Sequence, residues 1–393
     1  MADRPLDSPT RPPFWRNVRV LRVLAQVLFV LGVLFVLREL YLNMSYGFRQ
    51  QGIDLDFEFL RQRAGFDLPE GIPYSPNSSF WRALQAGLGN TIRVAISGIL
   101  LASIIGLLVG IGRLSSNWLV RNVARVYVEI FRNTPVLVQI IFWYVAVILA
   151  LPLVEGGSFG GVAFLSNRGL AIPWPRLRAE AGAYAMWLLA GIVAAFVVRW
   201  WRTRVFDRTG KPHRRFWWSF GTFLLVAAVG YVVFGGPIEI DVPERTGFGY
   251  LGGAQLSGEF AALLFGLTFY TAAFIAEIIR GSILAVEKGQ KEAAAALGLS
   301  GGQQLRLVVL PQALRVAIPP INSQYLNLMK NSSLAAAIAF PDLVSVASTI
   351  INQAGRPFQV IILVMATYLT MSLIISVLMN IANRAVALRG TRR

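Results

Sequence analysis

Cysteine is absent from the 393 residues, and histidine occurs once, at His213. The first absence removes disulfide frameworks, Cys-ligated zinc and thiol nucleophiles. The second removes His-dependent triads and His-rich metal sites. No G-x-x-x-x-G-K-[ST] phosphate loop occurs; Gly210-Lys211 lacks both the first glycine and the Ser/Thr, so the chain cannot be its own ATP motor. Charge is scarce as well, at 15% of residues against about 25% in soluble domains. What is present is apolar: 55% hydrophobic residues and a mean hydropathy of +0.57. Several apolar runs reach about 20 residues, the length that crosses roughly 30 Å of hydrocarbon. The composition specifies an all-α polytopic membrane protein.

The net charge of +17 does not point to nucleic acid, because the positive residues fall in short segments between apolar runs. Eight spans are read, near 20–40, 92–112, 135–153, 181–199, 216–235, 260–280, 316–350 (irregular) and 359–382. Alternate loops then hold 25 and 11 Lys+Arg, which predicts both termini in the cytoplasm of a multi-pass protein. The first span has no A-x-A-like site after it and is read as an uncleaved anchor. Four segments follow: 1–90, an anchor span and long outer loop; 91–154, the first part of a core; 155–257, a two-span insertion; and 258–393, the rest of the core with a cytoplasmic loop at 284–315. The insertion carries seven Lys+Arg over 199–215, flanked by Trp200, Trp201, Trp217 and Trp218. That loop is read as a topology-fixing anchor or a patch for membrane lipid.

The stretch 288–315 reads K-G-Q-K-E-A-A-A-A-L-G-L-S-G-G-Q-Q-L-R-L-V-V-L-P-Q-A-L-R. Its Glu292–Leu297 segment is strongly helix-forming, and Gly298 offers a place to end or bend the chain. A second helical piece over 303–310 is expected to stop at Pro311. The product is a helix-turn-helix against the membrane, with a small-residue face that another surface can approach.

The spacing of Glu292-Ala293-Ala294, Gly298, Val308, Leu310 and Pro311 resembles the EAA loop of permease subunits in bacterial binding-protein-dependent ABC importers. Val308 is a mild departure, since that family usually has Ile there. Tyr127-Val128-Glu129-Ile130-Phe131-Arg132-Asn133-Thr134-Pro135 with Gln139 is similar to a signature of polar amino acid permeases. Ala276–Gly281 and Lys288-Gly289-Gln290 match the same family, and Lys330-Asn331-Ser332-Ser333-Leu334 resembles its K-D-[ST]-S-L element, with Asn331 in place of the acid. The resemblance covers about 80–150 and 260–388. It implies a five-helix core of spans 2, 3, 6, 7 and 8, with the extra N-terminal span and the insertion resembling the large permease of general L-amino acid transporters. It also implies an inner-membrane location, an ABC ATP-binding subunit that docks on the EAA loop, a periplasmic amino-acid-binding protein and a second permease subunit of different sequence. ATP would be bound by the partner, with no cofactor in this chain.

Polar groups at membrane depth are functional candidates by default. Span seven supplies Asn327, Lys330, Asn331, Ser332 and Ser333, and span six supplies Glu277. For a zwitterion, Lys330 with Ser332-Ser333 suits the carboxylate and Glu277 the ammonium. The bland alternatives are a Glu277–Arg280 pair on one helical face and a snorkelling Lys330. Glu129 is expected to pair with a neighbouring Arg. The rival functions are a secondary amino acid transporter or channel using Glu277 and, more remotely, a Ser/Lys intramembrane hydrolase.

Overall fold

The computed structural model describes residues 18–50, 56–152, 158–159, 161–210, 214–246 and 249–386. The basic residues expected in 1–17, 211–213 and 387–393 lie outside the described residues. Helix α1 (Val18–Gln50) is followed by α2 (Phe80–Gly112), α3 (Trp118–Asn133) and α4 (Val136–Phe142), which continues as a π-helical turn at Trp143–Ile148. Helices α5 (Ala181–Thr209) and α6 (Arg215–Val233) form the insertion. Then come α7 (Gly258–Leu284), α8 (Lys288–Ala296), α9 (Gly301–Gln304), α10 (Leu310–Asn331), α11 (Leu343–Ala354) and α12 (Pro357–Val386). Six described helices are long and apolar enough to span a membrane, and two bent pairs bring the number to eight. The eight spans expected from sequence are therefore matched.

Helix α7 is the centre of the bundle. In its most apolar stretch 61% of residues are buried within the chain, whereas none are in that of α1. Helix α1 is peripheral, its Phe48 ring standing 5.1 Å from Phe358. The largest helix contact joins α2 and α7, and small residues set its closeness. A Cβ on Gly106 would lie 2.7 Å from Ile275 Cβ, and one on Gly110 would lie 2.8 Å from the Ala276 carbonyl oxygen. In hydrocarbon, where no hydrophobic effect drives helices together, such backbone approach is what gains dispersion contact. The surrounding core includes Val94, Ala102, Ile140, Leu263, Leu267, Leu328, Met329 and Phe340.

Span two is longer than the expected 92–112: the helix runs back to Phe80, and Asn90, Thr91 and Arg93 within it all find partners. Asn90 Nδ2 donates to the carbonyls of Glu70 (3.0 Å) and Pro341 (2.9 Å). Thr91 Oγ1 donates to the Gly87 carbonyl and accepts the Leu343 amide at 3.0 Å. Arg93 pairs with Glu70 at 2.8 Å and covers the Phe260 ring. Satisfied polar groups do not end a span.

Residues 113–132, expected as a loop, contain the 16-residue α3. Its apolar residues are interleaved with Arg121, Arg125 and Arg132, so no continuous apolar run marks it. Asn117 Oδ1 accepts the amides of Leu119 and Val120 and caps it. Pro135 forces Thr134 out of helical geometry (φ −105°, ψ 130°), and α4 leaves at 106° to α3. Gln139 Nε2 satisfies the carbonyls freed at that break, Phe131 at 2.8 Å and Thr134 at 2.9 Å. Tyr127 ties the bend to α7 through the Phe269 carbonyl at 2.8 Å. Glu129 lies 3.6 Å from Arg125, the neighbour expected for it.

The chain does not stop at Pro311. A π-helical turn at Leu305–Val309 leads into α10, and Pro311 falls in its first turn, where a missing N–H is tolerated. The helix also passes through Pro319-Pro320. Irregularity comes later: Ser332–Ile338 tightens to a 3-10 helix, Ala339 is left-handed (φ 58°), and α11 begins at a 53° bend. Asp342 caps α11 by accepting the Ser345 amide at 2.8 Å.

No strand is expected from the sequence, yet eight short ones occur among the described residues of the insertion. β1 (Ser158–Phe159), β2 (Ala163–Ser166) and β3 (Gly169–Ile172) join β8 (Ala254–Ser257) in one antiparallel sheet. β4 (Trp174–Leu177) pairs with β5 (Ile238–Asp241), and β6 (Glu244–Thr246) with β7 (Gly249–Leu251). Across β4 and β5, the Arg178 guanidinium 3.0 Å from Glu239 holds that carboxyl below its usual range. Ser257 ends β8 and caps α7, accepting the Phe260 amide at 3.0 Å, so the sheet runs directly into the central helix.

Two glycines on α2 should respond with opposite sign. Gly106→Ala overpacks against Ile275 and should destabilise the solubilised protein by roughly 1–3 kcal/mol. Gly89→Ala meets only Ile72, at 3.6 Å, and should be neutral or stabilising by about 0.5–1 kcal/mol. Thermal unfolding of both variants checks this; equal effects would mean that α2 and α7 are not so close.

Candidate functional site

The loop after α7 folds as a small helical hairpin. Val286, Val309 and Ala313 form its own apolar core, with Ile283 of α7 packed against it. Within α8 only Ala294 is buried; Glu292, Ala293, Ala295 and Ala296 are exposed. The helix ends because Gly298 takes φ +76°, with its amide on the Ala295 carbonyl at 2.9 Å and the Leu299 amide on that of Ala294 at 3.2 Å. A side chain at Gly298 would meet no atom within 4 Å, so backbone geometry rather than space requires glycine there. Ser300 and Gln303 then form a capping box that starts α9. Val308 and Pro311 are half-buried, and Leu310 is exposed.

Leu297, at the tip beside Gly298, is 81% exposed. The sequence reading passed over it as part of the helix-forming run. Its position directly before a helix-ending glycine is the signal that marks it. The loop thus presents an alanine surface with one leucine standing out of it.

At the root of this loop Glu277 is held by two arginines. Arg113, from the C-terminal cap of α2, pairs with one carboxylate oxygen, and Arg280 reaches the other at 2.5 Å. The Glu277–Arg280 pairing is the one foreseen as the bland alternative; Arg113 is the partner that sequence spacing could not supply. Two cations therefore share this one carboxylate.

Along α10 the exposed positions include Val316, Pro320, Ser323, Asn327 and Lys330, spaced three and four apart on a single face. Ala313, Ala317, Leu328 and Met329 of the same helix are buried. The Asn327 and Lys330 side chains make no hydrogen bond or ion pair among the described residues. Ser332 is buried and donates to the Met329 carbonyl at 2.6 Å; Ser333 is half-buried and donates to that of Lys330 at 2.8 Å. Both hydroxyls serve the local turn, and Asn331 beside them is half-buried. Tyr325 anchors the helix by donating to Ser103 Oγ of α2 at 2.7 Å, since that hydroxyl already donates to the Ile99 carbonyl. Missed in the sequence was Asp342, fully buried beneath this turn, with Oδ1 on Ser345 and Oδ2 without a partner.

Comparison with known proteins bears on both regions. Residues 98–390 match the family described as binding-protein-dependent transport system inner membrane component. The general L-amino acid transport system permease protein AapQ of Rhizobium johnstonii is 43% identical over 378 residues, covering 96% of this chain and 93% of the relative. The putative amino-acid ABC transporter permease protein YhdX of Escherichia coli is 43% identical over 377 residues and 95% of each chain. The glutamate/glutamine/aspartate/asparagine transport system permease protein BztB of Rhodobacter capsulatus is 39% identical over 411 residues, covering 95% and 94%. The chain is a transporter subunit, not an enzyme, and belongs to the inner membrane components of binding-protein-dependent transport systems.

Proposed function

We propose that the chain imports amino acids together with a second permease of different sequence, two ATP-binding subunits and a periplasmic amino-acid-binding protein. The observation that carries this reading is the hairpin of α8 and α9: an exposed alanine surface with Leu297 projecting, fixed to the end of the central helix. An apolar side chain exposed on a polar loop calls for a covering surface, and the alanines let that surface come close. A groove on an ATP-binding subunit fits this shape, and Glu292, Ala293, Ala294, Gly298, Val308, Leu310 and Pro311 build it. ATP is bound by that partner, and this chain needs no cofactor of its own. The secondary transporter or channel loses its main support, because it relied on Glu277 as a free intramembrane acid.

The exposed polar face of α10 supports a translocation pathway through Ser323, Asn327 and Lys330. Polar side chains on lipid are expensive, so this face meets water, substrate or the second permease. Glu277 instead braces α2 against the root of the coupling loop. Both termini lie in the cytoplasm on this reading, and the outer sheets face the binding protein.

Three outcomes follow. Gly298→Leu forces a left-handed leucine, at a cost of roughly 1–2 kcal/mol, and crowds the docking surface. Glu292→Lys replaces an exposed carboxylate of α8 with a cation. Both should abolish uptake and ATPase stimulation by loaded binding protein while the permease stays inserted; full uptake in both would remove the coupling assignment. In this naturally Cys-free chain, single cysteines at Ser323 and Asn327 should react with polar thiol reagents in a way that changes with nucleotide, while one at Leu328 stays inert. Uniform inertness would make α10 a packing helix. Reporters fused at Thr209 and Tyr74 should read cytoplasmic and periplasmic respectively, and the same side for both would break the topology.

A further inference from the structure

The two-helix insertion has a groove of its own. Helices α5 and α6 pack on each other through small residues and interhelical hydrogen bonds: Trp187 Nε1 to the Val226 carbonyl at 2.8 Å, and Ser219 Oγ to that of Ala195 at 2.9 Å. Toward the connection between them the helices leave a lane of about 360 Å³, lined by Ile192, Phe196, Phe220 and Phe223. The one side-chain hydroxyl in it, Ser219, is already bonded. Arg199 and Phe216 close this lane and also line a second, more polar recess of about 530 Å³ with Thr203, Arg214 and Trp217. The two cavities therefore meet end to end, hydrocarbon-like below and cationic above.

The cations at that end are unevenly committed. Arg202 lies 4.2 Å over the Trp218 ring, and Arg204 lies 3.8 Å over that of Trp200. Arg199 and Arg214 make no ion pair or ring contact among the described residues. Asp207 is the lone acid in 199–215 against seven Lys+Arg, so the chain itself offers these guanidiniums no sufficient counter-charge. The surrounding tryptophans have the amphipathic character that favours headgroup depth.

We propose that this groove binds one anionic phospholipid, with its phosphate on Arg199 and Arg214 and an acyl chain in the lane between α5 and α6. Guanidinium forks match phosphate oxygens in geometry and in charge. The lane opens on two helices that each pass the length and apolarity test for a span, so hydrocarbon is what surrounds it. A soluble anion would use the arginines but leave the aromatic lane empty; a lipid fills both. The inference does not depend on the transport reading. It requires only that the basic end of the hairpin lie at a membrane surface.

Native mass spectrometry of the full chain, purified in mild detergent and incubated with phosphatidylglycerol or phosphatidylethanolamine, tests it. Phosphatidylglycerol should be retained in preference. The double variant R199Q/R214Q should weaken retention roughly 30-fold, about 5-fold for each arginine near a charged surface. Ile192→Trp fills the lane with all charges in place and should also weaken it, whereas R121Q/R384Q, the same charge loss elsewhere, should not. Equal retention of both lipids would mean ordinary annular contact and overturn the proposal. So would equal loss in the two arginine pairs, unchanged retention in Ile192→Trp, or displacement of the lipid by millimolar inorganic phosphate.

Discussion

The close contact of α2 with α7 is the constraint on which the other parts depend. Gly106 and Gly110 let the two backbones approach to a separation that no side chain permits, and Arg113 closes the same pair at its end through Glu277. Removing that carboxylate would leave Arg113 and Arg280 facing each other in a partly buried site, which is why its loss should cost more than the pair contributes. Helix α10 is fixed to α2 through Tyr325 and Ser103, and the bend after α3 is fixed to α7 through Tyr127. Both ends of α7 continue without slack, into β8 at one and into the hairpin of α8 and α9 at the other.

That continuity gives the mechanism its physical content. On the proposed reading, a force applied to Leu297 and the alanine face would pass through the Val286–Val309–Ala313 core toward α7, whose Ile283 packs on it, and α10, which contributes Ala313. Helix α10 carries the exposed polar face, so movement at the hairpin shifts the groups that would meet substrate. Rigid elements with satisfied polar groups transmit such displacement better than loops. Asp342, buried beneath the 3-10 turn, is one of several places among the described residues where a buried polar atom has no hydrogen-bond partner.

Much of this was legible in the sequence, and the exceptions have common physical causes. Long apolar runs named the spans, and Gly298 and the alanines named the hairpin, because those features act locally. The partners of Asn90, Thr91 and Arg93, namely Glu70, Pro341 and Leu343, are separated from them in the chain, so the start of α2 at Phe80 was not legible locally. Helix α3 was invisible to a search for apolar runs, although its interleaved arginines are what an interfacial helix needs. Pro311 suggested a stop, but it falls in the first turn of α10, where its missing N–H is tolerated, and the helix also continues through Pro319-Pro320. The described strands of the insertion are two to four residues long, too short for alternation to stand out beside two spans. The second arginine on Glu277 required knowing that the ends of α2 and α7 meet.

A photoreactive amino acid placed at Leu297 of the intact chain, expressed with its partners, tests the central claim most directly. The account predicts a cross-link to the ATP-binding subunit, and none from the same probe at Leu314 on the flank of α10. A probe at Leu297 that captures only lipid or other parts of this chain would contradict it.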